Sequence, residues 1–160
     1  MKLRLIAVGR LKEKCARALA DEYLRRARPL LRRIGLTDIE VRELPEARAA
    51  TADQRRKLEA AAIMKAIGAD ARLIVLDERG QERTSREFTQ CLQKLSASGA
   101  RTLAVVIGGP DGVSEELRAR ADLLLAFGRM TWPHRLARVM LAEQLYRAGT
   151  IAAGLPYHRD

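Results

Sequence analysis

The chain has 160 residues, with thirty Lys and Arg against twenty Asp and Glu, 48% hydrophobic residues and 4% aromatics. That apolar content excludes a disordered chain, and so few aromatics argue against the sheets and barrels that stack single-stranded bases. Two cysteines and two histidines exclude a disulfide framework or a zinc cluster.

Residues 2–8 read as a buried strand ending at Gly9. Residues 13–33 carry Ala16, Leu19, Ala20, Tyr23, Leu24, Ala27, Leu30 and Leu31 at the spacing of one helix face, with Pro29 kinking or ending the helix. Residues 38–44 alternate as a half-buried strand, and residues 53–67 form a helix closed by Gly68. An apolar strand at 72–77 ends in Asp77, and Glu78, Arg79, Gly80 and Gln81 read as a turn. Thr84 and Glu87 make a capping box for a helix that runs to Ala97 with Phe88, Cys91, Leu92 and Leu95 inward. A buried strand at 102–107 runs into Gly108-Gly109-Pro110-Asp111-Gly112, and Ser114 caps a short helix. A strand at 122–127, a loop at 128–134 and a helix from Arg135 to Ala153 complete the pattern, with residues 154–160 as a tail.

Strict alternation of near-continuous apolar strands with helices predicts one α/β domain over residues 1–160, a parallel-rich sheet with helices on both faces. Ligands of such sheets sit beyond the carboxyl ends of the strands. Asp77, the turn at 108–112 and the loop at 128–133 all fall at that edge, which predicts a pocket there.

The glycine turn lacks the Gly-Lys-Ser/Thr of a phosphate loop and the spacing of a dinucleotide fingerprint. It either lets a ligand approach the backbone or is a tight strand-to-helix turn. The loop at 128–134 holds the one Trp and one of the two His; Trp132 packs either on a ligand or on the core, and His134 reads as a residue of the helix start. Tyr157, His158 and Arg159 supply stacking, proton-handling and phosphate-gripping groups, or belong to a frayed end. No paired carboxylates, Ser/His/Asp set or metal spacing stands out, so the chemistry must come from a bound cofactor or an activated substrate. Twenty-four of the thirty cations are Arg, and a surplus of +10 points to a nucleic acid unless it is charge spread over solvated helix faces. No stretch approaches the ~18 apolar residues of a membrane span. The first nine residues do not read as a signal peptide, and Cys15 and Cys91 read as reduced thiols on helical faces, the expectation for a cytoplasmic protein.

Several segments together resemble one family. They are Val106-Ile107-Gly108-Gly109-Pro110-Asp111-Gly112, Thr131-Trp132-Pro133-His134-Arg135-Leu136-Ala137-Arg138-Val139, Ala142-Glu143-Gln144-Leu145-Tyr146-Arg147-Ala148 and Pro156-Tyr157-His158-Arg159. With Lys2-Leu3, Ala7-Val8-Gly9 and Glu22-Tyr23-Leu24-Arg25-Arg26 nearer the start, they are similar to the SPOUT superfamily of RNA methyltransferases from end to end. The resemblance implies S-adenosyl-L-methionine as cofactor and methylation of N3 of a pseudouridine in 23S ribosomal RNA, with no metal. It implies a C-terminal trefoil knot and a homodimer whose sites borrow residues from both chains. Leu76, Gly108, Gly109, Gly128, Arg129, Met130, Thr131, Trp132 and Pro133 would then hold the cofactor. Arg147, Tyr157, His158 and Arg159 would face the RNA, with His158 and Arg159 catalytic. The last helix, through Leu136, Val139, Met140, Ala142 and Leu145, would form the dimer interface. Trp132 stands where the family commonly has Leu, and Gly149 where it has a bulkier residue, at a cost to the helix of up to ~1 kcal/mol. The alternatives are a methyltransferase for another RNA position and a noncatalytic ribosome-assembly or RNA-binding protein.

Overall fold

The computed structural model describes residues 1–159. Five strands, β1 (Lys2–Val8), β2 (Asp38–Leu44), β3 (Ala71–Glu82), β4 (Thr102–Ile107) and β5 (Leu123–Ala126), alternate with five helices. The helices are α1 (Lys14–Leu31), α2 (Ala52–Ile67), α3 (Ser85–Ser96), α4 (Glu115–Arg120) and α5 (His134–Ala152). The strands form one parallel sheet in the order β2-β1-β4-β3-β5. The expected α/β architecture is therefore present.

The period of two along each strand divides its apolar run between two cores. Leu3, Leu5 and Ala7 of β1 and Leu103, Val105 and Ile107 of β4 meet α1, α3 and α5 on one face. Ile6 and Val8 of β1 and Ala104 and Val106 of β4 meet α2 and α4 on the other, with Ile63, Ile67 and Leu117. Helix starts are fixed by side chains. Thr51 with Gln54 and Thr84 with Glu87 form reciprocal capping boxes, and the Ser114 hydroxyl accepts from the Leu117 amide.

Several expectations change. Residues 78–81 are not a turn: they continue β3, which bulges so that Leu76 and Gln81 both pair with Leu125. A Cβ on Gly80 would lie 2.7 Å from the Leu125 carbonyl carbon, so this glycine serves a close crossing of backbones rather than a reversal. Pro29 does not end α1, which continues to Leu31 and tightens into a 3-10 turn over Arg32–Ile34, closed by Gly35 at φ 83°. Leu19 lies on the apolar stripe of α1 yet is 47% exposed. Ala142 and Leu145 of α5 point into the chain's own core, leaving Leu136, Val139 and Met140 as the accessible apolar residues of the expected interface helix.

Gly149 is buried where α5 crosses α1, and a Cβ there would come within 2.7 Å of the Leu30 Cβ. The close approach of the two helices is what this glycine provides, which offsets its poor helix propensity. Gly149→Ala is expected to destabilise the fold by about 1–3 kcal/mol through overpacking, although Ala is the better helix former. Urea unfolding of the two proteins checks the sign; a more stable variant would show that the crossing relaxes freely.

Candidate functional site

Parallel strands deliver their carboxyl ends to one edge, and a pocket of about 340 Å³ opens there. Leu76 at the bulge of β3, Ile107 and the turn after β4, and the loop after β5 line it. Of the residues expected at a cofactor, Leu76, Gly108, Gly109, Gly128, Met130, Thr131 and Trp132 contribute to the lining. Arg129 and Pro133 do not: the Arg129 side chain is 97% exposed, and Pro133 caps α5. Val113, Leu125, Phe127, His134 and Ala137 complete the wall.

Each side of the pocket is anchored by polar contacts. The Trp132 indole donates to the Phe127 carbonyl at 3.1 Å, which folds the loop back on itself and leaves the ring half in solvent. Asp77 accepts from Arg118 at 2.7 Å, with its side chain only 4% exposed, and also from the Arg79 amide at 2.9 Å. The turn is clamped from α2. Arg55 donates to both carboxylate oxygens of Asp111, at 2.6 and 3.0 Å. Gly109 has a reason that sequence alone could not supply. A Cβ there would meet Glu59 Oε2 at 2.8 Å and Val8 Cγ1 at 3.1 Å, so the turn is bare because the protein behind it is close.

Behind the pocket, α5 starts over a charged cluster. Arg138, its side chain 9% exposed, pairs with Glu43 at 2.7 Å. Glu43 also accepts from the Leu11 amide and from Arg17. Burial pushes the Glu43 carboxyl up, but the Leu11 amide, Arg138 and Arg17 outweigh it and hold the group at about 2. His134 is pushed down, first by burial and then by the Arg138 charge. Its Nε2 is buried without a partner, so the ring sits neutral in the pocket wall.

The tail is docked rather than frayed. Tyr157 packs edge-on against Tyr146, with centroids 4.7 Å apart, and donates to Glu143 at 3.1 Å. The Arg147 guanidinium stacks over the Tyr157 ring, donates to Glu143 at 2.9 Å and lies 3.3 Å from His158 Nδ1. A guanidinium can only donate, so Nδ1 is the acceptor in this contact. Burial, then the Tyr23 hydroxyl and the Glu143 carboxylate, push the Tyr157 phenol up, so it remains a donor at neutral pH. Arg159 is exposed. Arg147, Tyr157 and His158 are thus one cluster, but none of them lines the pocket. His134 and Glu143 are nine positions apart on α5, or ~13 Å along its axis.

A model of the family described as predicted SPOUT methyltransferase matches residues 1–158. The chain belongs to the SPOUT methyltransferase family. It is 49% identical over 159 residues to the ribosomal RNA large subunit methyltransferase H of Bradyrhizobium diazoefficiens, covering 99% of each chain. It is 46% identical over 160 residues to the protein of the same name from Brucella anthropi, covering 100% of each. The solved structure of a probable methylase family protein from Haemophilus influenzae shares the fold, with a TM-score of 0.51 at 15% identity over 99% of this chain and 70% of that one.

In this SPOUT methyltransferase no three His, Cys, Asp or Glu side chains gather as a metal site among the described residues. No helix among them is long and apolar enough to cross a membrane. What the pocket offers instead is apolar walls, glycine-bearing turns, and the carboxylates Asp77, Glu78 and Asp111, of which Asp77 is paired with Arg118 and Asp111 with Arg55.

Glu43 links the loop after β1 to α5, so its charge state bears on the pocket wall. Its carboxyl lies at about 2 when folded, against an ordinary value of 4.5. The stability it contributes is full above about pH 5 and is lost as pH falls from 4.5 towards 2, on the order of 3 kcal/mol. Urea midpoints across pH 7 to 3 are expected to fall less steeply in Glu43→Gln than in the parent. Glu40, held at about 2 by Lys2, Arg42 and Arg4, keeps part of the acid sensitivity in the variant. Identical slopes would show that Glu43 contributes no linkage.

Proposed function

We propose that this SPOUT methyltransferase transfers a methyl group from S-adenosyl-L-methionine to N3 of a pseudouridine in 23S ribosomal RNA, in the bacterial cytoplasm and as a homodimer. The observation that carries the reading is the pocket itself: apolar side chains face bare backbone at Gly108, Gly109 and Gly128. Such a site suits a flat heterocycle read by backbone amides and carbonyls, and about 340 Å³ falls in the range of small-ligand sites. Leu76, Met130 and Trp132 would cover the adenine. When bound, the cofactor supplies an electrophilic methyl on a sulfonium. The RNA side of the proposal rests on the large-subunit rRNA named in its relatives and on the net charge of +10.

The residues of this chain would orient the base and manage one proton. The N3 imide must lose its hydrogen, and Arg147 and Arg159 would stabilise the resulting anion. Tyr157, kept protonated, would donate to the base. His158 would accept the N3 proton at Nδ1 once Arg147 turns from it to the base.

Two features favour a homodimer. The tail cluster lies ~13 Å along α5 from the pocket of its own chain, so a partner's tail is the simpler completion of the site. Between them runs a groove of about 570 Å³ lined by Leu19, Phe127, Val139 and Met140, flanked by exposed Leu136 and Met130. An apolar surface of that kind fits a subunit interface. The trefoil knot belongs to the same proposal, and the crossing of the β3 extension over β5 at Gly80 is compatible with it.

Removal of residues 157–160 is expected to leave affinity for S-adenosyl-L-methionine near normal and to cut single-turnover methyl transfer to ribosomes by at least 100-fold. Calorimetry and a tritiated-methyl assay read the two quantities. A truncated protein with the parent rate would return the tail to a packing role. Sedimentation equilibrium at micromolar concentration is expected to give twice 17.8 kDa, and Leu136→Glu to shift it towards the monomer. A monomeric parent would remove the composite site.

A further inference from the structure

Glu59 is 5% exposed, on the face of α2 that packs against the sheet among Ala60, Ile63 and Ile67. A carboxylate in such surroundings is costly unless its oxygens are met by donors. One is: Oε1 accepts from the Ala47 amide at 3.0 Å. The other, Oε2, is buried without a donor. It lies 2.8 Å from where a Gly109 Cβ would stand, against the back of the turn whose front lines the pocket. One helical turn earlier, Arg55 grips Asp111 of the same turn and the Ala49 carbonyl of the loop that Glu59 holds. The two side chains together back the turn from α2, and Glu59 does so at Gly109, one of the glycines that line the pocket.

We propose that Glu59 is the positioning residue of the cofactor turn: its buried carboxylate sets the depth of Gly109, and Oε2 is the acceptor that receives a backbone N–H of the turn when the cofactor seats. The proposal rests on the cofactor reading above and goes beyond it, because Glu59 touches neither pocket nor ligand. A carboxylate is required rather than any side chain of that shape, since an acceptor must face Ala47 and a second acceptor must face the turn. Gln supplies the first but presents its amide donors to the second.

Calorimetry with S-adenosyl-L-methionine on the full-length protein tests this, alongside thermal unfolding without ligand. Glu59→Gln is expected to weaken binding about tenfold and raise the KM for the cofactor, with kcat at saturation within twofold. Its unfolding midpoint should be unchanged or higher, because a buried charge is removed. Gly109→Ala is expected to lose binding in the parent but to cost much less in a Glu59→Ala background, where the clash with Oε2 is gone. Additive losses in that double-mutant cycle would overturn the assignment. So would Glu59→Gln binding like the parent, or losing affinity only in step with its folded stability. A parent protein that binds no S-adenosyl-L-methionine overturns the cofactor reading and this proposal together; a binding parent with unaffected variants overturns only the role of Glu59.

Discussion

A wholly parallel sheet imposes one constraint on everything else: all five strands finish at the same edge. Each loop that follows a strand is forced into the company of the others. Residues 9–13, 45–50, 108–112 and 127–133 therefore share a small region, and their unpaired backbone groups need partners there. The structure meets this with side chains from neighbouring elements. Glu43 takes the Leu11 amide, Glu59 the Ala47 amide, Arg55 the Ala49 carbonyl and Trp132 the Phe127 carbonyl. The pocket is the space left once these loops have been tied back.

The same edge shapes the electrostatics. Helices α2, α3 and α4 carry acids in the first turn, where the helix dipole favours them. Helices α1 and α5 carry none, and the exposed Arg10, Lys12 and Lys14 precede or open α1 while Arg135 opens α5. The starts of these two helices are joined by the Arg135–Glu13 pair at 2.8 Å, while the exposed Arg10, Lys12 and Lys14 remain cations that a polyanion could meet. Elsewhere most cations are engaged in exposed ion pairs, such as Arg25 and Arg26 with Glu22, which contribute little to stability.

Much of this was legible in the chain. Continuous apolar runs and capping residues identified the strands and helices, because their periodicity is a local property. The position of the pocket followed from the alternation of elements. What the sequence could not reveal depended on distant neighbours. Gly80 looked like a turn residue, yet it serves a backbone crossing with residues more than forty positions away. Gly109 looked like a ligand loop, yet its lack of a Cβ is required by Glu59, a helix residue that periodicity marks only as one polar position among apolar ones. The tail looked free because nothing local orders it, while its partners Glu143, Tyr146 and Arg147 lie on α5.

Strand β4 lies between β1 and β3, and no other strand joins the two sides of the sheet. As the polypeptide emerges during synthesis, β1 with β2 and the lone β3 have no common partner until residues 102–107 appear. One of the two cores also waits for Leu141, Ala142, Leu145 and Ala148 of α5. The nascent chain must therefore carry unpaired strand edges and open apolar faces until β4 and α5 have emerged, and its contacts close over long separations. Folding of this protein is in that sense timed by α5 rather than begun by α1.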